Sequence, residues 1–291
     1  MKNVKSNFKV KSNHTHKLYR YNKKYNKDFG FSKKNSGFFA KKSLGQNFLH
    51  DIQVVDGMLK NVSIENKIVV EIGPGKGFLT NEIVKHRPKK LILVEKDRRL
   101  IQNLNNTFGS VADIRDMDAM QLNIEDIFKL EHEKITIVAN LPYNIGTKLV
   151  MNWMNCVSNI DTIIVMLQKE VVDRITAKPR TKDYGRISVL IQSVCKCDKL
   201  FDVKPECFTP KPKVTSSVVK IIPKEDCALN KDDYCKLDKF CKIAFSQRRK
   251  KLSNVFKNTA FDKIISEDFL DKRAEELSVE EYLYLSKTIV K

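Results

Sequence analysis

Val69-Val70-Glu71-Ile72-Gly73-Pro74-Gly75-Lys76-Gly77 is the stretch whose reading decides the fold. An apolar, β-branched run leads straight into three glycines, the pattern of a buried strand passing into a helix through a tight turn. Glycine there lets the backbone approach a ligand closely and adopt positive φ. A dinucleotide fingerprint needs Gly-x-Gly-x-x-Gly, and here the third glycine comes one residue early. Pro74 also removes an N–H from a loop that would otherwise cradle a pyrophosphate. No Gly-Lys-Ser/Thr follows, so a P-loop is excluded. The loop suits a nucleoside ligand without phosphates.

Strands and helices alternate outward from this turn. The apolar periodicity predicts a helix over 52–62, a strand over 67–72, a helix over 77–86, a strand over 91–95 and a helix over 97–107. A short segment at 111–114, a helix at about 121–130 and a strand over 135–139 follow. Beyond them the pattern gives helix 146–156, strand 161–167, helices 168–176 and 186–196, and strands near 198–203 and 214–222. Such alternation implies an α/β, Rossmann-like fold, a mostly parallel sheet covered on both faces by right-handed crossovers. A Pro-rich turn separates the last two strands, so they are expected to form an antiparallel hairpin at the sheet edge. Residues 232–291 show only helical periodicity and are expected to form a small C-terminal all-helical domain. The expected domains are a basic, disordered leader at 1–40, the α/β domain at 41–222 and the helical domain at 223–291.

Charge narrows the partners. The formal net charge is +19, and residues 1–42 hold 13 Lys and Arg against one acid, Asp28. The rest of the chain stays basic without that segment, which favours a polyanion over a merely solvating tail. No apolar run approaches the ~18–20 residues of a membrane span, and the leader lacks the apolar stretch of a secretory signal. A cytoplasmic location is expected, with an organellar one as the alternative if the leader is a transit peptide. Seven scattered cysteines, with no Cys-x-x-Cys, read as reduced thiols rather than disulfides or a metal site.

Three strand ends carry the chemistry. Glu95 ends the second strand, where an acid accepts from both ribose hydroxyls. Asp118, after the third strand region, is placed to accept from an adenine amino group. Taken singly, Glu95 could be a cap and Asp118 a solvated loop acid. Together beside Gly73 and Gly75 they imply S-adenosylmethionine, which has ribose, adenine and a sulfonium but no phosphate. Asn140-Leu141-Pro142-Tyr143-Asn144-Ile145 follows the 135–139 strand. Pro142 stops the strand and turns the chain outward. That turn presents an amide, two carbonyls and an aromatic face, a set able to hold an exocyclic amine and stack on its base. By itself the same stretch could be an ordinary strand-to-loop turn.

These motifs together resemble the ribosomal RNA adenine N6,N6-dimethyltransferases. The resemblance rests on Lys42-Ser43-Leu44-Gly45-Gln46-Asn47-Phe48-Leu49, Glu71-Ile72-Gly73-Pro74-Gly75, Glu95, Asp118 and Asn140 to Ile145. Gln168-Lys169-Glu170-Val171, Lys182-Asp183-Tyr184-Gly185-Arg186 and Phe208-Thr209-Pro210-Lys211-Pro212-Lys213-Val214 extend it, and Arg248-Arg249-Lys250 fits as well. It covers about residues 41–222. Met117 stands where the family usually has glycine, which bears on Asp118, and Arg180 replaces another family glycine in a surface loop. The long leader is also unusual.

The resemblance implies a methyltransferase of the bacterial branch, which dimethylates two adjacent adenosines near the 3′ end of small-subunit (16S) rRNA. It further implies that Asn47 and the Leu49 backbone help hold the cofactor, with Gly73, Glu95, Asp118 and Asn140. Asn140 and the Leu141 carbonyl would accept the amine hydrogens, while Tyr143 stacks on the flipped adenine. Phe208 is the candidate for the base's other face; its alternative is an anchor in the core. Arg248, Arg249, Lys250 and Lys251, read as a basic run on a helix, and Arg186 are the expected phosphate contacts. A monomer acting on the immature small subunit is expected, with no metal. The rivals are a large-subunit rRNA methyltransferase of the macrolide-resistance type, and a ribosome-assembly or mitochondrial transcription factor of the same fold.

Overall fold

A computed structural model describes residues 39–41, 44–225, 229–259, 261 and 265–288. The disorder expected of the leader concerns residues that, apart from Phe39 and Ala40, lie outside that description.

The chain opens with β1 (Phe48–Leu49) and α1 (Ile52–Leu59), then alternates through β2 (Ile68–Ile72), α2 (Phe78–Lys85), β3 (Lys90–Glu95), α3 (Arg98–Phe108) and β4 (Asp113–Asp116). It continues through α4 (Ile124–Glu131), β5 (Ile135–Asn140), α5 (Gly146–Trp153), β6 (Ile160–Gln168), α6 (Lys169–Ile175) and α7 (Arg186–Val194). Then come β7 (Cys195–Val203), β8 (Phe208–Thr209) and β9 (Ser216–Pro223), followed by helices α8 (Lys231–Ala244), α9 (Leu252–Phe256), α10 (Glu267–Leu270) and α11 (Val279–Thr288). Seven strands form one sheet in the order β4-β3-β2-β5-β6-β9-β7. The first five run parallel, and β9 is antiparallel to both β6 and β7. The edge hairpin is therefore present, with its second strand inserted between β6 and β7.

Two apolar layers follow from the period of two along each strand. Val70, Ile72, Ile92, Val94, Ile137 and Ala139 face α4, α5 and α7. Val69, Leu91, Leu93 and Val138 face α1, α2 and α3. The first layer runs on into the helical segment, where Phe240 stacks on Phe256 at 5.2 Å and Phe245 on Tyr282 at 5.6 Å. Helix starts are set by side-chain caps: Asp51 accepts from Gln53 N, Asn123 from Glu125 N and Asn230 from Asp233 N.

Of the boundaries that differ from the periodicity, two have a clear physical origin. The helix expected over 146–156 ends at Trp153 and continues as a 3-10 segment, Met154–Asn159, in which Cys156 leaves helical dihedrals. The helix expected to reach 196 ends at Val194, because Cys195 already pairs with Pro223 across the edge hairpin. Tertiary pairing overrides helical pattern at that point.

The topology fixes where a ligand can enter. After β2 the chain moves outward to β3 and β4, then returns to the other side of β2 as β5. The connections leaving β2 and β5 diverge there, opening the crevice in which α/β sheets bind ligands.

Candidate active site

Three polar strand ends stand on one face of the sheet. Glu71 pairs in register with Val138 on β5 and with Leu93 on β3. Asn140 and Glu95 lie two residues further along those strands, so alternation points both to the side of Glu71. Together with the glycine turn and residues 44–50 they line a cavity of about 660 Å³.

Asn140 is held by its amide nitrogen, whose Nδ2 donates to the Asn47 carbonyl at 3.2 Å. That bond orients the side chain and leaves Oδ1 as an acceptor. Leu141 N donates to the Met166 carbonyl at 3.2 Å, tying the turn to β6, and the Leu141 side chain is buried. Pro142 closes the turn by accepting at its carbonyl from Ile145 N and from Gly146 N, where α5 begins. The half-buried Tyr143 places its hydroxyl 2.6 Å from Ser216 Oγ on β9. Burial raises the Tyr143 pKa and the Ser216 bond opposes the rise, so the group stays a neutral phenol at physiological pH.

The glycine turn adopts the conformation its sequence implies. Gly77 has φ +84, and a Cβ there would meet Phe108 at 2.4 Å. At Gly75, with φ +60, a Cβ would come within 3.2 Å of the Phe48 ring. The turn thus makes room for the aromatic rings packed over it. Lys76 Nζ lies 5.0 Å from the Phe48 ring centre, adding a cation–π contact to the same cover.

Glu95 is nearly enclosed. Its Oε1 accepts from Lys96 N at 2.9 Å and Asp97 N at 2.8 Å, and its Oε2 from Gly75 N at 3.2 Å. Burial raises its pKa, while these N–H donors pull it back. Asp118 caps the following 3-10 turn through Met120 N at 2.9 Å and pairs with Lys96 Nζ at 2.6 Å, which lowers its pKa. Both acids retain oxygen lone pairs for a ligand.

Residues 44–49 form a strap over the cavity. Gln46 Nε2 donates to Asp97 Oδ2 at 3.0 Å, and Asp97 also holds Arg99 through Nε and Nη2 at 2.9 and 2.6 Å. The Arg99 guanidinium holds the Asp97 carboxyl well below the usual carboxylate range; burial opposes this and Gln46 assists it. Further along, β1 pairs antiparallel with β8, Phe48 opposite Thr209 and Leu49 opposite Phe208.

The cavity brings together Asn47, Leu49, Gly73, Gly75, Glu95, Asp118, Asn140, Leu141, Pro142 and Tyr143. Phe208 is not among its lining residues. Its ring is 1% exposed and packs in the core with Leu49, Val203 and Val218, while the neighbouring Thr209 reaches the cavity. The expectation that Phe208 stacks on the base is corrected: pairing with β1 turns its ring inward, and it anchors the strap.

The basic run also differs from its reading. Arg248 to Lys251 lie in the turn between the 3-10 segment Phe245–Gln247 and α9, not on a helix. Arg248 Nε pairs with Glu275 at 2.6 Å and its Nη2 donates to the Thr181 carbonyl at 3.0 Å. Arg186 forms a fork with Asp238 at 2.7 and 2.9 Å, and Lys251 pairs with Asp271 at 2.9 Å. Among the described residues, Arg249 and Lys250 are exposed and carry no ion pair.

Four residues that shape the site were missed in the sequence. Glu71 was visible only as part of a strand. Gln46 and Asp97 gave no sign of meeting, since 51 residues separate them. Ser216 comes from the last strand, and no local pattern links it to Tyr143. Among the described residues no group of three or more His, Cys, Asp or Glu could hold a metal, and no helix is long and apolar enough to cross a membrane.

The family described as ribosomal RNA adenine dimethylase matches residues 37–291 of this chain. A ribosomal RNA small subunit methyltransferase A from Pelagibacter ubique is 41% identical over 256 residues, covering 85% of this chain and 96% of the relative. One of the same description from Neorickettsia sennetsu is 41% identical over 226 residues, covering 75% of this chain and 84% of the relative. Among solved structures, a dimethyladenosine transferase from Plasmodium falciparum superposes with a TM-score of 0.71 at 25% identity, over 82% of this chain and 95% of the other. The 23S rRNA methyltransferase ErmE shares the fold, with a TM-score of 0.63 at 20% identity over 84% of this chain and 100% of the other.

Proposed function

The chain belongs to the ribosomal RNA adenine dimethylase family, and we propose from that membership how the residues around Asn140 perform the reaction. It is an S-adenosylmethionine-dependent methyltransferase that dimethylates adenosine N6 amines of small-subunit (16S) rRNA. The finer reading is that the targets are two adjacent adenosines near the 3′ end, presented by an immature small subunit to a cytoplasmic monomer. A catalytic domain at 41–222 and a helical domain at 223–291 belong to the same reading, supported by the end of the last strand at Pro223.

The cavity fits the methyl donor. Positive-φ glycines bring backbone to its floor, Glu95 offers a buried carboxylate for ribose hydroxyls, and Pro74 withholds the N–H a pyrophosphate would need. When bound, S-adenosylmethionine supplies an electrophilic methyl group on a sulfonium.

The protein's own task is to make a poor nucleophile reactive. Adenine's N6 lone pair is delocalised into the ring. Acceptance of its hydrogens by Asn140 Oδ1 and the Leu141 carbonyl favours a pyramidal nitrogen with its lone pair free for in-line attack. This is catalysis by positioning, and no general base is required. The amine proton departs after transfer, when the nitrogen has become acidic. Tyr143 stacks on the flipped base, a contact worth ~1–3 kcal/mol. The monomethyl product offers only one hydrogen, so the second transfer relies on one acceptor and the stack.

The observation that carries this reading is the bond from Asn140 Nδ2 to the Asn47 carbonyl, which sets the amide's direction beside Tyr143. The test is transfer of labelled methyl groups to unmethylated small subunits, with modified bases mapped. N6,N6-dimethyladenosine at two adjacent positions is expected, falling on the order of 10²–10³-fold in rate for Asn140→Ala, as for loss of one positioned hydrogen-bonding group. Modification confined to a large-subunit adenosine would overturn it.

A further inference from the structure

Glu71 is the next-to-last residue of β2, and among the described residues no cation stands against it. It is 1% exposed, and its Oε2 has no hydrogen-bond partner among the described residues. Its row on the sheet is otherwise aliphatic: Val69 along β2, Leu93 on β3 and Val138 on β5. Thr80 on α2 is the polar group facing it, and Glu95, at the end of β3, is the charged one. A solvent-excluded carboxyl without a cation is costly as an anion, so it stays protonated. Burial raises its pKa to about 8, eased by Thr80 and increased by Glu95. No step derived above uses it, yet it lines the cavity beside Gly73 and Asn140. In register it lies opposite Val138, two residues short of Asn140, so strand alternation turns both side chains to the same face of the sheet.

An orphan acid in that position awaits a positive charge. Resting on the cofactor reading given above, we propose that Glu71 is the residue by which this chain distinguishes the sulfonium donor from its neutral thioether product. Glu71 loses its proton to solvent as S-adenosylmethionine binds, and the carboxylate then pairs with the sulfonium charge in a low-dielectric cavity. Methyl transfer leaves the S–C electron pair on sulfur and removes that charge, so Glu71 takes a proton back from solvent and the product is held less tightly. Glu95 does not share this role, because its charge is already met by three backbone N–H donors.

Calorimetric titration of the full chain tests this at pH 7, in phosphate and in Tris, whose different ionisation enthalpies reveal proton release. With a pKa of about 8 Glu71 is roughly nine-tenths protonated at pH 7. S-adenosylmethionine should therefore release close to one proton, and S-adenosylhomocysteine almost none. The affinity ratio of donor to product should grow by up to tenfold per pH unit from pH 6 and level off above pH 8. Glu71→Gln should abolish both the release and the pH dependence. Equal release with the two ligands would overturn the proposal, since it would assign the proton to the α-amino group both carry. Release unchanged in Glu71→Gln would overturn it too. If that variant fails to fold, the comparison of ligands on the parent chain decides alone. Absence of binding by either ligand would instead remove the cofactor reading, and the inference with it.

Discussion

The Tyr143 hydroxyl lies 2.6 Å from Ser216 Oγ, joining the turn after β5 to the first residue of β9, 73 positions later. The ring proposed to hold the target base is thus fixed from outside its own turn. Removing the bond by Ser216→Ala or Tyr143→Phe should free the ring without removing its face. A neutral hydrogen bond contributes ~0.5–1.5 kcal/mol, so each variant should lose roughly threefold to tenfold in kcat/KM for RNA substrate. Tyr143→Ala should lose more, and the double variant Ser216→Ala/Tyr143→Phe no more than either alone. Additive losses in that cycle would show that the hydroxyls act independently.

Phe208 should behave as a core residue. Its ring is buried beside Leu49 and supports the β1–β8 pair that carries the strap. Phe208→Ala should destabilise the chain by ~3–5 kcal/mol, the usual cost of removing a buried aromatic ring. Phe208→Leu should retain most of both stability and activity. Denaturant melts paired with methyl-transfer rates check this; a stable Phe208→Leu enzyme that cannot methylate would return the ring to the base.

How far the sequence disclosed this site depends on the kind of contact. The glycine turn, Glu95 and Asn140 were legible because each sits at a strand end, and apolar runs mark strand ends locally. Their common face follows from the same alternation that builds the sheet. Phe208 was misread because its environment is set by pairing with Leu49, far away in the chain, and a short strand of two residues leaves no periodic trace. Arg186 and Arg248 looked like free cations for the same reason. Their acidic partners, Asp238 and Glu275, are 52 and 27 residues distant.

Asp97 ties the strap to the sheet, and acid should release it. The carboxyl is 3% exposed and bonds to Arg99 and Gln46. Its folded pKa is depressed, so its stabilising contribution is fully present above the unfolded value, ~3.9. It is lost only as pH falls through the folded value, which leaves the strap pinned across the physiological range. Asp97→Ala removes that tie at every pH and leaves Arg99 and Gln46 without their shared acceptor. The expected result is weaker cofactor binding at pH 7, with faster proteolysis near Gln46. Unchanged affinity and protection would show that the strap is held by β1–β8 pairing alone.

The turn after Gln247 separates two kinds of basic residue. Among the described residues Arg249 and Lys250 are exposed without ion pairs, whereas Arg248 bridges Glu275 and the Thr181 carbonyl, linking the helical segment to the loop before α7. Each phosphate neutralised by an unpaired cation releases counterions, and that release sets the salt dependence of RNA binding. Arg249→Ala and Lys250→Ala should each reduce the slope of log affinity against log salt by about one. Arg248→Ala should leave the slope nearly unchanged and lower thermal stability, because it strands Glu275. Binding of small-subunit RNA from low to moderate salt, with melts of the same variants, decides the matter. A larger slope change for Arg248→Ala than for Arg249→Ala would mean that Arg248 leaves Glu275 for phosphate when RNA binds.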